Sequence, residues 1–142
     1  MADWRSNLGR FFEEKQAEEE NPERSAFSRF ILEVVVPAFE EIGAELEKHD
    51  REVIIRSAQT SAALIVSRDG EEEMTYRVRG RTYPNGMLPF AELRFRERKG
   101  LRYIRVESAF RSGAQDYKLT DISQDEIIAS FLDNYTRRVK PE

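Results

Sequence analysis

The chain has 142 residues, of which 39% are hydrophobic and 35% charged, with a net charge of -4, one histidine and no cysteine. This length is typical of one globular domain, while the absence of cysteine excludes a disulfide framework, a thiolate metal site and a cysteine nucleophile. The first twenty residues lack the apolar core of a secretory leader, and no apolar run approaches the ~18 residues of a membrane helix. We therefore expect a soluble cytoplasmic protein with no membrane partner.

The first predicted element is a short amphipathic helix, in which Trp4, Leu8 and Phe11 or Phe12 recur at spacings of three and four residues. Residues 13–23 follow with six acidic residues against one lysine, and this composition is typical of a solvated helix end or a flexible linker. We predict that residues 1–24 form an amphipathic and acidic, partly flexible segment. Residues 25–142 are predicted to form a single α+β domain.

The apolar positions of this segment, Trp4, Leu8, Phe11 and Phe12, are unusual for a disordered tail. A helix of about twelve residues is marginal alone in water, so we expect these side chains to be ordered only when they dock on a surface. That surface belongs to the same domain, to a second copy or to another protein. We predict docking on another chain.

A long helix is predicted from Ser25, an acceptable N-cap, to Lys48. Pro37 lies inside this pattern and removes one backbone hydrogen bond, which predicts a bend between Glu33 and Pro37. The apolar stripe of the helix comprises Phe27, Phe30, Ile31, Val34, Ala38, Ile42 and Leu46.

After Asp50 the hydrophobic period changes from helical to alternating, which predicts five strands near residues 53–57, 61–67, 74–81, 90–98 and 101–111. Short breaks such as Asp69-Gly70 indicate hairpins and hence an antiparallel sheet. Residues 117–120 are a candidate sixth, edge strand. The connection over 81–90 contains two prolines and large apolar groups, and we expect it to be buried; its alternative is an exposed interaction patch.

The last element is a helix that opens with Ser123 as N-cap and Glu126 three residues later, a capping-box pattern. Its apolar face comprises Ile127, Ile128, Phe131, Leu132 and Tyr135. The complete pattern predicts an α+β fold, with one antiparallel meander of five or six strands. The long kinked helix and the C-terminal helix are expected to pack on one face of that sheet.

Positive charge is concentrated in residues 74–111, which hold ten Lys/Arg against three Asp/Glu and therefore carry +7. Because side chains alternate along a strand, these cations are expected to share the sheet face opposite Tyr76 and Val78. The candidate binding residues on that face are Arg77, Arg79, Arg81, Arg94, Arg96, Arg98, Tyr103 and Arg105.

Two interpretations of the basic face remain open at this point. Planar arginines beside a tyrosine are suited to phosphate contacts and base stacking, whereas arginines that pair with Glu92 and Glu107 are an ordinary way to keep a sheet face solvated. The acidic run at 13–23 is a candidate cover for this face, although ordinary solvation of the run is favoured. The overall negative charge argues against avid nucleic-acid binding.

Motifs that carry chemistry are weak in this sequence. His49 lies four residues after Glu45, but a single histidine near a helix C-terminus more often stabilises that end. The glycines match no phosphate-binding or dinucleotide motif, and no acidic spacing matches a calcium loop. We predict no catalytic residue, no metal and no cofactor, and retain an enzyme with a pocket between helices and sheet only as a third class.

The leading hypothesis is a non-enzymatic interaction domain that binds a protein partner or its own copy. The alternative is RNA or single-stranded DNA binding through the arginine-rich face of the sheet.

Overall fold

A computed structural model of the chain describes residues 3–19, 22–84, 86–96, 102–111 and 117–139. Its helical elements are α1 (Trp4–Glu19), α2 (Pro22–Phe30), a π-helical segment (Ile31–Val35), α3 (Val36–Glu47), a short 3-10 helix (Leu119–Asp121) and α4 (Gln124–Arg138). Its strands are β1 (Glu52–Ala58), β2 (Ser61–Arg68), β3 (Glu71–Tyr83), β4 (Gly86–Arg96) and β5 (Tyr103–Ala109). The strands form one antiparallel sheet in the order β1-β2-β3-β4-β5, which confirms the predicted α+β meander.

The predicted long helix begins at Pro22 rather than Ser25, because proline has no N–H to leave unpaired in the first turn. Its regular α-helical hydrogen bonding is interrupted directly before Pro37, where the sequence predicted a bend. The interruption takes the form of a π-helical turn, in which the N–H of Val36 donates to the carbonyl of Ile31. Such a wider turn accommodates the missing donor of proline within a continuous helical path.

Two glycines are required by the strand connections and packing. The β2–β3 hairpin turns through Asp69 and Gly70, whose φ angles of 53° and 80° match the Asp-Gly signal in the sequence. Gly80 on β3 faces α2, and a Cβ there would lie 2.7 Å from the sulfur of Met87 and 3.0 Å from the ring of Phe27. Gly80 therefore allows α2 to approach the sheet closely.

Two details of the predicted sheet were wrong. The predicted connection over 81–90 is mostly strand, because β3 continues to Tyr83 and pairs it with Gly86. The candidate sixth strand at 117–120 is instead the turn that enters the 3-10 helix, in which the Lys118 N–H donates to Asp121 Oδ2 at 2.9 Å. An aspartate that binds the backbone three residues before it stabilises a helical turn rather than an extended strand.

The hydrophobic core lies between one face of the sheet and the helices. Tyr76, at the centre of β3, is fully buried and contacts Phe39 of α3 and Phe131 of α4 with ring centroids 5.9 and 5.4 Å away. Its hydroxyl shares a hydrogen bond of 2.7 Å with Ser130 Oγ. This single side chain thus joins the sheet to both helices, and burial raises its pKa.

The start of α4 confirms half of the predicted capping box. Ser123 Oγ accepts a hydrogen bond from the Glu126 N–H at 3.3 Å, as an N-cap residue does. The carboxylate of Glu126 binds Arg111, whose Nη2 donates to it at 2.7 Å. The start of α4 is therefore bound to Arg111, which lies two residues after the end of β5.

We expect the substitution Phe131→Ala to lower the free energy of unfolding by about 3–5 kcal/mol, because the side chain is fully buried against Tyr76. Urea denaturation of the full chain measures the loss. The matched control is Leu132→Ala on the neighbouring position, which is 48% exposed and is expected to change stability by less than about 0.5 kcal/mol. Equal losses for the two variants would contradict this packing of α4.

Candidate functional site

The sheet face that points away from the helices, here called the outer face, carries the predicted basic residues. Tyr76 and Val78 are fully buried, so the residues that alternate with them, Arg77 and Arg79, lie on the outer face as predicted. The described arginines of this face are Arg56, Arg77, Arg79, Arg81, Arg94, Arg96 and Arg105. Arg98 lies outside the described residues.

Four of these arginines bind carboxylates on the same face. The pairs are Arg79–Glu92 at 3.4 Å, Arg81–Glu107 at 3.1 Å, Arg94–Glu72 at 3.6 Å and Arg96–Glu71 at 3.2 Å. Each pair is partly solvated and contributes little stability individually. Their main effect is to neutralise much of the positive charge that the sequence places on the outer face.

The glutamates of two of these pairs were missed by sequence analysis. Glu71 and Glu72 open β3, whereas their arginine partners close β4, so the pairs form only once the strands are in register. The first strand of a hairpin begins where the second strand ends. Acidic residues at the first position and arginines at the second are therefore a sequence signal that could have revealed these pairs.

Tyr103 forms an aromatic contact with two arginines. The guanidinium of Arg94 lies 4.3 Å from the centre of its ring and that of Arg96 lies 5.5 Å away. Arg96 Nη2 also donates to the Tyr103 hydroxyl at 3.4 Å, and this contact is the main reason why the pKa of Arg96 is raised. A second contact of this type places Arg81 4.1 Å from the ring centre of Phe90.

Three arginines of the outer face have no ion pair with any described carboxylate: Arg56, Arg77 and Arg105. Arg105 is also paired across strands with Arg94, so two cations face each other there. Near Arg56 and Arg77 the outer face becomes apolar, since Ile54 pairs with Ile65 in the adjacent row. The β1–β2 side of the face therefore combines exposed hydrophobic surface with cations that have no described carboxylate partner.

Helix α1 presents the other predicted group of candidate residues. All its described side chains, from Trp4 to Gln16, are exposed, including the four of the apolar stripe. The exposed fractions are 63% for Trp4, 48% for Leu8, 56% for Phe11 and 58% for Phe12. Docking of this stripe on the core of its own domain is thus not part of the described structure.

A local interaction that sequence analysis did not identify stabilises the start of α1. Asp3 accepts hydrogen bonds from the Ser6 hydroxyl at 2.6 Å and from the Ser6 N–H at 3.4 Å, which lowers the pKa of its carboxyl. An aspartate before the first helical residue is a typical N-cap signal. The apolar stripe is therefore presented on a capped helix.

A partly buried polar cluster on the core side of the sheet was also missed. Ser67 pairs with Glu72 and Val66 with Met74, so Glu73 is the extra residue of a β-bulge. Its carboxylate accepts two hydrogen bonds of 3.1 Å from Arg51 and one of 2.7 Å from the Tyr135 hydroxyl. This cluster links the end of α4 to the sheet and to the turn after α3.

A surface cleft of about 410 Å³ lies beside the start of α2. It is lined by Glu23, Ala26, Gly86, Met87, Leu88, Tyr117, Lys118 and Leu119. Met87 and Leu88 of the 81–90 region thus line this cleft, whereas Phe90 contacts Arg81 on the outer face. The described residues of its lining include no arrangement of nucleophile and base.

Glu45, the acid of the weak catalytic pair considered in the sequence, accepts a hydrogen bond from Lys48 at 3.0 Å. Among the described residues, no group of three or more potential ligands is placed to hold a metal ion. None of the described helices has the length and apolar character needed to cross a bilayer. No protein-family model matches the chain, and no curated protein or solved structure matches it significantly.

We expect the stability of the protein to fall as the pH rises from about 10 to about 12. Burial, followed by the bond to Glu73, raises the pKa of Tyr135 from 10.0 to about 12, so the folded state keeps this phenol protonated after the unfolded state has ionised. The stabilisation that this phenol contributes is therefore complete below pH 10. It is lost as the pH rises through the folded-state pKa of about 12. Urea denaturation at several pH values should give a shallower decline for Tyr135→Phe, and identical slopes would contradict the coupling.

Proposed function

We propose that this chain is a non-enzymatic interaction domain that binds another protein chain through α1. The observation that carries the proposal is the apolar stripe of Trp4, Leu8, Phe11 and Phe12, which stands exposed on a capped helix. Anchors at positions i, i+4, i+7 and i+8 are the pattern by which an amphipathic helix binds an apolar groove. A protein chain with an apolar surface is therefore the class of partner that α1 fits.

The energetics of α1 support this assignment. Most helical stability in proteins comes from tertiary packing of an apolar face, whereas the described side chains of α1, from Trp4 to Gln16, are all exposed. Burying an aromatic side chain removes about 150–250 Å² from water, and the stripe contains three of them. Binding would therefore provide the stabilisation that tertiary packing provides to the other helices.

The outer face gives weaker support for a function of its own. Four of its arginines already bind glutamates, which is what a solvated sheet face requires. We therefore propose α1, and not the outer face, as the main protein-binding surface. We interpret the four arginine–glutamate pairs as structural.

A second candidate function is RNA or single-stranded DNA binding, and the arrangement around Tyr103 favours it. The tyrosine ring is flanked by Arg94, and Arg105 lies opposite Arg94 with no described carboxylate partner. A ring beside cations offers stacking and phosphate contacts to an unpaired strand. The net charge of -4 disfavours strong binding of this kind.

Photocrosslinking in an extract of the native host tests the proposed function. With Leu8 replaced by the photoreactive p-benzoylphenylalanine, we expect an adduct that contains a second polypeptide. The same replacement at Leu132, an equally exposed position on α4, is the control and should give no such adduct. The double substitution Trp4→Ala/Phe11→Ala should reduce the adduct by about tenfold or more, since it truncates two aromatic anchors.

An adduct that survives the double substitution, or one that forms equally from position 132, would contradict binding through α1. The absence of any α1 adduct would contradict the proposed function itself.

Fluorescence anisotropy with a labelled oligonucleotide tests the second candidate. Nucleic-acid binding predicts a rise at ~50 mM salt that fades as salt increases. It also predicts a weaker rise for Arg94→Glu/Arg105→Glu than for the control Arg29→Glu/Arg137→Glu, which makes the same charge change on exposed helical positions. No rise for the unmodified chain at low salt would eliminate this function.

A further inference from the structure

Strand β1 forms one edge of the sheet. It pairs with β2 on one side, and no described strand pairs with it on the other. The two-residue turn between them closes on the pair Ala58–Ser61. Hydrogen-bonded and non-hydrogen-bonded pairs alternate from there, so the N–H and C=O groups of Val53, Ile55 and Ser57 point away from β2. None of the described backbone hydrogen bonds outside helices and strands uses these groups.

This edge lacks the features that usually protect an exposed strand. Proteins block their edges with lysine, proline, bulges or inward-pointing charges. Strand β1 contains neither lysine nor proline, its register with β2 is continuous, and its inward-pointing residues are Val53, Ile55 and Ser57. On the outer face, Ile54 is 51% exposed. An unbroken apolar edge strand of this kind is a surface on which a further strand can pair.

We propose that β1 pairs antiparallel with β1 of a second copy, with the two-fold axis at Ile54. The two five-stranded sheets then form one continuous sheet. In this register Ile54 faces Ile54 of the second copy, Val53 faces Ile55, and Glu52 faces Arg56. The interface does not involve α1, so it goes beyond the proposed function and is independent of it.

The charged side chains select this register. Glu52 and Arg56 are exposed, and neither forms an ion pair with a described residue. An axis at Ile54 places them opposite each other twice. An axis at Val53 would place Glu52 opposite Ile54, and an axis at Ile55 would place Arg56 opposite Ile54. Opposite charges and apolar pairs stabilise neighbouring strands, so the axis at Ile54 is the favoured one.

The backbone agrees with the same register. Val53 and Ile55 both direct their N–H and C=O groups to the edge, so each Val53–Ile55 pair across the axis exchanges both hydrogen bonds. Ile54 then falls at a non-hydrogen-bonded position, where opposite side chains approach most closely. Val53 and Ile55 face the core but are only partly buried. Pairing with a second copy covers their remaining surface.

Helix α3 lies over β1, so the dimer must accommodate two copies of this helix. Gly43 approaches Val53 so closely that an added Cβ would lie 3.1 Å from its side chain, which places α3 near this residue. In the proposed register Val53 and its copy are diagonal neighbours about 8 Å apart, and helices pack at about 8–10 Å. The two helices therefore come to contact distance. Their exposed glutamates, Glu40, Glu41 and Glu47, are like charges, so the dimer should be measured at about 150 mM salt.

Disulfide formation tests the position of the axis. The chain has no cysteine, so Ile54→Cys introduces a single thiol. Two such thiols would lie on Cα atoms about 4.5 Å apart, within the disulfide range of about 4.4–6.8 Å. Mild oxidation of the purified chain should give the dimer mass about tenfold faster or more for Ile54→Cys than for Leu132→Cys, an equally exposed position on α4. Arg56→Cys should match the Leu132→Cys control, because it faces residue 52.

Equal rates at positions 54 and 132 would overturn the proposal. Faster linking at position 56 than at position 54 would overturn the register.

Charges at the axis provide a second test, because residue 54 faces its own copy. Ile54→Lys and Ile54→Glu should each weaken the dimer by about tenfold or more in sedimentation equilibrium, since like charges then meet. An equimolar mixture of the two variants should associate more tightly than either alone. Leu132→Lys is the matched control and should leave the dimer unchanged. A mixture that associates no better than its components, with both folded by circular dichroism, would overturn the proposal.

The ion pairs can be tested within one chain. Glu52→Arg and Arg56→Glu should each weaken the dimer, because each places like charges opposite one another. The double substitution Glu52→Arg/Arg56→Glu should regain affinity, since it restores both pairs in reverse. Failure of the double variant to recover would contradict this register.

These outcomes separate the β1 interface from binding through α1. The dimer should persist in Trp4→Ala/Phe11→Ala, and its loss there would place the interface on α1 and overturn this inference. A purified chain that remains monomeric throughout sedimentation equilibrium would also overturn it, while an α1 adduct to another protein in host extract would still support the proposed function.

Discussion

The contact of Tyr76 with the two helices is the interaction on which the rest of the structure depends. Its ring lies between Phe39 of α3 and Phe131 of α4, and its hydroxyl meets Ser130. A buried phenol must keep a hydrogen-bond partner, so the position of α4 along the sheet is specified as well as its burial. Apolar packing and one polar contact together set how the helical layer sits on β3.

The outer face follows from this constraint. Because side chains alternate along a strand, an inward Tyr76 requires Arg77 and its equivalents to point outward, and a slip of one residue would bury charged groups. The glutamates of the outer face then neutralise four of the arginines. Three arginines of this face remain without a described carboxylate partner: Arg56, Arg77 and Arg105.

The contrast between α1 and the other long helices connects structure to function. Helices α2, α3 and α4 bury aromatic or branched side chains against the sheet, whereas α1 exposes its largest ones. An exposed apolar stripe loses the hydrophobic stabilisation that tertiary packing normally gives a helix. That unmet stabilisation is the physical reason for the proposal that α1 binds another chain.

The sequence by itself determined the features that depend on local periodicity and local chemistry. The alternating pattern placed Tyr76 and Arg77 on opposite faces of the sheet, and the Asp69-Gly70 pair indicated a hairpin turn. Pro37 indicated where the helix is interrupted, and Ser123 indicated the N-cap of α4. Tertiary structure alone decided the features that join distant segments. The bulge at Glu73 brings it to Arg51 and to Tyr135, which is 62 residues away, and strand register brings Glu71 to Arg96. Alternation assigns each residue to a face, but it does not state which residue of another strand or helix will lie beside it, because that depends on register, bulges and packing.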